Sequence, residues 1–513
     1  MRSIGVCLAL AAVLMLSCSF VFAGGSADEG EAAADMSIED FSDKTIGVQT
    51  GSIFDKMIAE VMPDAKIAYF STFTDEINAL KAKKIDGICG TESTIRELMK
   101  QNGDISLTKD SMGEFGTCFL FPKNEKGEVL VGQMDAFITG LEESGELAHL
   151  HEVWTGKDES LKVIDDYSSF PADNGTLKFV TEGTFPPYDY FADNELVGYE
   201  VDLAVRFCKE YGYGIDLIDM NFDALMPAIQ SGKCDFGASG IAATEERKEN
   251  AYFSVPDYYE QIKIAYLNES SSKGGIIASI KSSFNKTFIQ ESRYKLFIQG
   301  ILTTILITVC SVILGTLLGF LLYLWCRRGG FIANKVTAFC VWLVQGLPVI
   351  VLLMLLYYVV LGKVSISGMW VSVIGFTLVF AAAVYSMILA GVRAVDDGQT
   401  EASYALGFTD RETFFGIILP QAAQHFMPMY KSEIVSLIKA TAVVGYIAVQ
   451  DLTKMGDIVR SRTYEAFFPL VAVAVIYFVI SAILTAIVSR ITLSVDPEKR
   501  SEAKVLKGVK TDD

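Results

Sequence analysis

The sequence predicts a multidomain protein, in which an α/β half precedes an all-α domain of five transmembrane helices. Residues 24–290 carry charges every few positions, whereas residues 296–490 contain long apolar runs. In the first region short β-rich runs alternate with helical ones, which is the βαβ pattern of a parallel sheet with ligand groups at its strand ends. The 513 residues leave room for about three domains, and the net charge of −19 disfavours nucleic acid as a partner.

The N-terminus predicts export. Arg2 supplies a positive start, a short apolar core follows, and Val21-Phe22-Ala23 makes an acceptable cleavage site, so residues 1–23 are predicted to be a signal peptide. Residues 24–35 are predicted to be a disordered tether. Cys18 follows a poor lipobox, and its lipidation stays open. The cysteines and histidines lack zinc-type spacing, so we predict no metal site and buried free thiols rather than disulfides.

Five segments are apolar and long enough to cross a bilayer, which takes about 20 residues each. They lie near 297–325, 345–362, 369–392, 432–450 and 467–489. Basic residues concentrate after the first and fifth segments and between the third and fourth, so these regions are predicted to be cytoplasmic and the α/β half extracytoplasmic. Lys454, Arg460 and Arg462 lie on the opposite side and run against this rule. Lys439, inside the fourth segment, faces either a polar substrate path or an interface.

A long spaced motif lies between the third and fourth segments. Glu401-Ala402-Ser403 is followed after three intervening residues by Gly407 and, after nine more intervening residues, by the run from Ile417 to Pro420. This pattern resembles the coupling-loop signature of ATP-binding-cassette (ABC) importer permeases. The resemblance covers about residues 290–495 and is closest to permeases for polar amino acids such as histidine, glutamine and glutamate. It implies that these residues contact a cytoplasmic ATPase: Glu401, Ala402, Gly407, Ile417, Leu419 and Pro420.

The resemblance also implies partners. The chain has no phosphate-cradling Gly-x4-Gly-Lys-Ser/Thr motif, so ATP is expected on a separate ATPase dimer and no cofactor on this chain. One five-helix unit is half of a transport pathway, which implies a second permease copy in a homodimer.

A second resemblance rests on Thr-Phe-Pro-Pro-Tyr at 184–188 and on residues 197–203 and 240–256. These segments resemble the first lobe of the family 3, amino-acid-type solute-binding proteins. The resemblance implies that Arg247 grips the ligand α-carboxylate, which suits the paired donors of a guanidinium group. The alternative for Arg247 is a surface ion pair with Glu245 or Glu249. Phe185 is expected either to pack on the ligand side chain or to pack in the hydrophobic core. The other first-lobe ligand positions are Glu182, Ser239, Gly240 and Ala242.

Residues 36–165 resemble the second lobe of the same family, with closing helices at their end. Gly51, Ser52 and Ile53 would open a helix, whose free N–H groups can hold a carboxylate. Thr91 stands where an acidic residue usually binds the α-ammonium group, with Glu92 beside it. A threonine cannot offset a buried ammonium group, so either Glu92 takes over or the ligand lacks the usual amine.

The lobes therefore come in reversed order, which predicts either one circularly permuted binding domain or a decayed tandem pair. The permuted reading fits two lobes of ordinary size. It predicts a type II two-lobed periplasmic-binding-protein fold followed by a type I ABC importer permease. The predicted boundaries are 36–165 for the second lobe with its closing helices, 166–270 for the first lobe, 271–295 for a linker, 296–495 for the permease and 496–513 for a cytoplasmic tail.

These features predict the substrate-binding and permease subunit of an ABC importer in the inner membrane, for amino acids or related carboxylates. The alternatives are a non-transporting sensor on the same scaffold and an importer of a carboxylate that is not an amino acid. A ligand-gated channel is disfavoured because the membrane part follows both lobes instead of interrupting them. An enzyme such as a dehydratase is disfavoured because no paired carboxylates or nucleophile–base pair stands near the expected cleft.

Overall fold

The computed structural model describes residues 36–268, 283–362, 364, 366–463 and 467–495. The predicted signal peptide, the tether and the cytoplasmic tail lie outside the described residues, as do Cys18 and part of the predicted linker.

The exported half is built on two main sheets and a smaller third one. In chain order the strands are β1 (Thr45–Gln49), β2 (Lys66–Phe70), β3 (Gly87–Thr91), β4 (Ile105–Leu107), β5 (Gly113–Thr117), β6 (Leu120–Pro122), β7 (Thr176–Thr181), β8 (Thr184–Phe185), β9 (Asp189–Ala192), β10 (Glu195–Val197), β11 (Gly214–Asp219), β12 (Phe236–Gly237), β13 (Ala251–Phe253) and β14 (Tyr258–Leu267). One main sheet has the order β2-β1-β3-β14-β4, with β5 paired to β14, and forms the second lobe. The other has the order β11-β7-β12-β6-β13 and forms the first lobe.

The centres of both sheets are parallel, as the βαβ pattern predicts. β1 pairs in parallel with β2 and β3, and β7 pairs in parallel with β11 and β12. Strands covered on both faces read as continuous apolar runs, and β1 is buried over its last four residues. In the first lobe Phe179 and Phe236 pack with ring centroids 4.9 Å apart. The exported cysteines that the structure describes are buried and free, as predicted: Cys89, Cys118, Cys208 and Cys234.

Eight helices of the described exported half cover these sheets. They are α1 (Phe54–Val61), α2 (Phe73–Lys81), α3 (Glu92–Gln101), α4 (Glu125–Ser144), α5 (Glu146–Thr155), α6 (Tyr199–Glu210), α7 (Phe222–Gln230) and α8 (Glu245–Lys248). Side-chain oxygens of Thr72, Thr91, Asn124 and Thr244 accept N–H bonds in the first turns of α2, α3, α4 and α8. Ser/Thr/Asn caps of this kind fix where each helix starts, because they satisfy backbone donors that have no partner in the helix.

The chain crosses between the lobes twice, once between β5 and β6 and once between β13 and β14. As a result β6 lies in the first-lobe sheet although it falls inside the predicted range 36–165. Likewise β14 lies in the second-lobe sheet, between β3 and β4, although it falls inside the predicted range 166–270. The lobe boundaries therefore differ from the predicted ones by these two strands. A strand pairs with the sheet that it reaches in space, whatever its position in the sequence. Each lobe occurs once in the described residues, which fits a single cleft rather than two partial copies.

The membrane half is helical. Its helices are α9 (Tyr294–Arg328), α10 (Phe331–Gly346), α11 (Val349–Met354), α12 (Gly368–Arg393), α13 (Asp397–Ala405), α14 (Asp410–Thr413), α15 (Leu419–Ala440), α16 (Leu452–Thr463) and α17 (Phe467–Val495). In the described residues three helices are long and apolar enough to cross a membrane, or five if each of two bent pairs counts as one span. The predicted first, third and fifth segments correspond to α9, α12 and α17.

The second and fourth segments differ from the prediction. The region predicted as one span at 345–362 is the end of a pair, Phe331–Gly346 and Val349–Val360, bent by 110°. Pro348 stands at this bend. Proline has no backbone N–H to donate to a helical hydrogen bond, and its ring would clash with a carbonyl group of the preceding turn. The region predicted at 432–450 belongs to a helical run over Asp410–Ile447 that is bent by 58° against α16. Ala448, with φ of 58°, ends that run.

Candidate functional site

A narrow cleft lies between the two lobes. Its unfilled volume is about 20 Å³, close to that of one water molecule. The second lobe lines it with Gln49, Ser52, Ile53, Phe54 and Phe115, and the first lobe with Phe185, Phe222, Ser239, Gly240, Ala242 and Arg247. Most of the predicted ligand positions therefore meet at one place, although they lie up to 195 residues apart in the sequence (247 − 52).

Arg247 connects the two lobes. Its Nη1 donates to the carbonyl of Ala242 at 2.8 Å and its Nη2 to the carbonyl of Gly51, in the second lobe, at 2.7 Å. Among the described residues Arg247 forms an ion pair with neither Glu245 nor Glu249, and Glu245 pairs with Lys248 instead. A guanidinium group whose two parallel donors face two oxygens is arranged as a carboxylate would require.

An aromatic wall runs across the cleft. Phe185 is buried, packs edge-on against Phe73 of the second lobe at a centroid distance of 6.2 Å, and stacks on Tyr188. Gly240 lies against this ring: its φ is +57°, and a Cβ there would come within 2.8 Å of the Phe185 ring. Both its backbone conformation and its surroundings therefore call for glycine. The Gly240 N–H donates to the Glu200 carboxyl at 3.0 Å.

Glu182, which does not itself line the cleft, joins the lobes by a bond to Gln49, a residue of the cleft wall. It follows β7, is 1% exposed, and accepts a bond from Gln49 Nε2 at 2.8 Å. Burial raises the pKa of Glu182 to about 7. Gln49, at the end of β1 in the second lobe, was not among the predicted residues. Its partner is 133 residues away, so no local pattern could indicate this bond.

Thr91 and Glu92 are not brought to the cleft wall. The Thr91 side chain caps α3 and contacts the Thr94 hydroxyl at 2.9 Å. Glu92 forms ion pairs with Arg96, four residues along the same helix, and with Lys263 of β14. The hypothesis that Glu92 replaces the missing acidic residue is therefore not supported by its position. Glu182, by contrast, bonds to Gln49 on the cleft wall.

The predicted coupling loop forms two short helices. Glu401 and Ala402 lie exposed on α13, Gly407 follows with φ of +84°, and a Thr409–Glu412 capping box starts α14. Ile417 lies in a π-helical segment, Phe414–Ile418, which leads directly to Leu419 and Pro420 at the start of α15. The loop is anchored by Arg327 of α9, which pairs with Asp410 and lies over the Phe414 ring. Leu406 and Phe408 stay exposed, the former by 77%.

The three cations that run against the positive-inside rule have acidic partners. Lys454 pairs with Asp219 of the first lobe and Arg460 with Asp75 of the second, while Arg462 pairs with Glu291. In the sequence these three residues stand out only as exceptions to the rule. The contacts attach helix α16 of the membrane half to both lobes.

Comparison with known proteins supports both halves. Residues 177–457 match the family of bacterial extracellular solute-binding proteins, family 3. The putative glutamine transport system permease protein GlnP of Rickettsia typhi is 31% identical over 192 residues, 37% of this chain and 88% of that protein. The arginine transport system permease protein ArtQ of Bacillus subtilis is 33% identical over 197 residues, with the same coverage. A crystal structure of an amino acid ABC transporter with histidines covers 43% of this chain at 28% identity, with a TM-score of 0.37.

Proposed function

We propose that this chain, which belongs to family 3 of the bacterial extracellular solute-binding proteins, captures and imports amino acids or related carboxylates as one subunit of an ABC importer. The observation that carries the proposal is the position of Arg247, whose guanidinium group lies between the two lobes of a cleft that is joined covalently to a permease. A ligand carboxylate would replace the carbonyls of Gly51 and Ala242 as its acceptors, and Phe185 would cover the ligand's apolar part.

The order of the strands supports one permuted binding domain. Both crossovers between the lobes are present, and the helices α4 and α5 that close the first lobe precede β7 in the chain. In this reading residues 158–176 join the original termini, and new termini arise in a surface loop, where permutation is tolerated.

The membrane half would work with partners. The exposed α13, with Leu406 and Phe408 near its end, offers an apolar surface to the groove of a cytoplasmic ATPase, which would bind and hydrolyse ATP for this chain. A second permease copy would complete the pathway as a homodimer. In this proposal ligand closes the lobes, and ATP hydrolysis on the partner drives its release inward.

The ammonium site decides between two ligand classes. Neither Thr91 nor Glu92 lies on the cleft wall, so a standard amino acid would place its ammonium group near Glu182. A carboxylate without an amine would need only Arg247 and the aromatic wall. Matched pairs of amino acids and their deaminated analogues separate these two classes.

The test is a thermal-shift screen of the full-length chain in detergent against the standard amino acids and their deaminated analogues. A ligand that binds only the folded state raises the melting temperature. Arg247→Ala should weaken the binding of any hit by at least about 30-fold, because it removes one partner of a buried charged contact. Lys248→Ala, next to it but exposed, is the control, and ATP-driven uptake into vesicles with the ATPase then tests transport. Retained affinity in the Arg247 variant would contradict the assignment.

A further inference from the structure

The charge on the wall of the cleft has one sign. Among the described residues that line the cleft, Arg247 is the only charged one, while Gln49, Ser52 and Ser239 are polar and uncharged. A carboxylate group on a ligand therefore finds an opposite charge on this wall, whereas an ammonium group finds none.

The Ser52 hydroxyl group lies at the same place as the Arg247 guanidinium group. Arg247 Nη2 donates to the carbonyl of Gly51, the residue before Ser52, at 2.7 Å. The Ser52 oxygen is buried and has no hydrogen-bond partner in the part of the chain that the structure describes. Because a hydroxyl group can donate to an ionised carboxylate, the two lobes can each supply a donor to one carboxylate here.

Most of the remaining wall is apolar and comes from both lobes. The second lobe contributes Ile53, Phe54 and Phe115, and the first lobe contributes Phe185 and Phe222. The ring centroids of Phe54 and Phe115 lie 6.2 Å apart. The body of a ligand between the lobes would therefore contact hydrocarbon on both of its sides, which favours an apolar body because its surface is removed from water.

Acidic residues close to the cleft do not line it and have other partners. These contacts are Glu182 with Gln49 Nε2 at 2.8 Å, Glu200 with the N–H of Gly240 at 3.0 Å, and Glu246 with Lys56 Nζ at 2.7 Å. The positive charge of Lys454 also lies near Glu182. None of these three carboxyl groups is on the wall to face a ligand ammonium group.

An ammonium group in the closed cleft would thus be buried beside the Arg247 guanidinium group without a carboxylate partner. Burial of an unpaired charge is strongly unfavourable, and the repulsion between like charges adds to this cost. A hydrogen atom in place of the amino group avoids both effects. The wall therefore discriminates against the amine because it lacks a partner for it, which is one of the general routes to specificity.

We propose that the cleft selects an apolar monocarboxylate that has no amino group, and that Ile53, Phe115 and Phe222 determine this specificity. The carboxylate binds Arg247 and Ser52, and the apolar body lies between the aromatic side chains of the two lobes. This inference rests on the proposed importer function, because it names the ligand class of the same cleft.

The test measures the affinity of the full-length chain in detergent by isothermal titration calorimetry. The four probes are phenylalanine, glutamine and their analogues without the amino group, hydrocinnamate and glutaramate. Hydrocinnamate should bind more tightly than phenylalanine by about 30-fold or more, because the amine of phenylalanine is buried unpaired. It should also bind more tightly than glutaramate by about tenfold or more, because the amide group of glutaramate loses water against the aromatic wall.

Variants of the wall test the apolar contacts. Phe115→Ser should lower the preference for hydrocinnamate over glutaramate by about tenfold, because it removes a half-buried ring from the wall. Ile53→Thr should lower it by about threefold, since a hydroxyl group replaces an ethyl group, and threonine is well accepted at the start of a helix. Phe70→Ser is the control, because Phe70 is half-buried in the same lobe but does not line the cleft. The ratio of two affinities on one folded protein does not depend on the stability of the variant.

Tighter binding of either amino acid than of its analogue would overturn the inference, and loss of that binding in Arg247→Ala would leave the proposed function intact. Equal binding of hydrocinnamate and glutaramate would overturn it as well. So would a preference that Phe115→Ser leaves unchanged or that Phe70→Ser lowers equally. If none of the four probes bound, the ligand class would be wrong, and the thermal-shift screen would decide whether the importer function stands.

Discussion

At the scale of residues, the cleft depends on a few buried polar groups whose properties follow from their surroundings. Glu182 is the clearest example, because its burial raises the pKa to about 7 while Gln49 holds one oxygen. A carboxyl group whose folded-state pKa is raised keeps its proton at pH values where the unfolded chain has lost it. Its contribution to stability is therefore complete below about pH 4.5 and is lost as the pH rises to about 7.

We predict that Glu182→Gln flattens this part of the pH dependence. The shift from 4.5 to about 7 corresponds to about 3 kcal/mol between the two ends of the window. Thermal unfolding of the full-length chain between pH 4 and pH 8 measures the difference between this variant and the unaltered protein. Glu245→Gln, at an exposed position, is the control. Parallel pH profiles for the unaltered protein and Glu182→Gln would show that Glu182 ionises normally.

Gly240 tests the contact between the loop after β12 and the aromatic wall. Gly240→Ala adds a Cβ within 2.8 Å of the Phe185 ring, at a φ that costs a non-glycine residue about 1–2 kcal/mol. Gly232→Ala meets the same backbone restriction, at φ +71°, but no atom lies within 4 Å of its Cβ. We expect both variants to lose stability and only Gly240→Ala to weaken ligand binding. Equal binding by the two variants would contradict the predicted contact.

At the scale of elements, close packing of α9 on α12 organises the membrane half. Gly319 of α9 is buried there, and a Cβ at this position would lie 2.6 Å from the Ala381 carbonyl oxygen and 2.9 Å from Val384. Small residues at such crossings let two backbones approach, which is how helices pack in a membrane without a hydrophobic driving force.

We predict that Gly319→Ala destabilises this helix pair by about 1–3 kcal/mol, because the extra methyl group overpacks the contact. Gly346→Ala is the matched control, since no atom lies within 4 Å of the added Cβ. Thermal unfolding in detergent compares the two. If Gly346→Ala lowered the melting temperature as much as Gly319→Ala, the crossing would not be the cause.

The coupling loop makes a separate prediction at this scale. Leu406, which is 77% exposed, would enter the groove of the ATPase, so Leu406→Asp should abolish copurification with the ATPase and ATP-driven uptake. Ligand binding by the chain should be unchanged, because the residue follows α13 of the membrane half and does not line the cleft. Leu406→Met keeps the apolar surface and should keep both activities. Full uptake by the Asp variant would contradict the role of this loop.

At the scale of the whole molecule, the covalent fusion holds the binding domain beside its own permease. A short tether converts docking into an intramolecular step with an effective concentration in the millimolar range. The ion pairs of Lys454 and Arg460 join positions 235 (454 − 219) and 385 residues apart in the chain, so they form only once both halves have folded. The positive charges of Lys454 and Arg460, which the positive-inside rule does not explain, thus have acidic partners in the lobes.

The sequence by itself determined the division into an exported α/β half and a helical membrane half, the coupling motif and most cleft residues. Those features can be predicted from local patterns, namely the length of apolar runs, the βαβ alternation, and motifs such as the one around Arg247. Only the tertiary structure decided that β14 belongs to the second lobe, that Pro348 stands at the bend of the second segment, and that Glu92 pairs with Arg96 and Lys263 instead of lining the cleft. It also decided that Gln49, Lys454 and Arg460 join the lobes. The physical reason is that strand pairing and buried ion pairs depend on groups that are distant in sequence, and these meet only when the chain is packed.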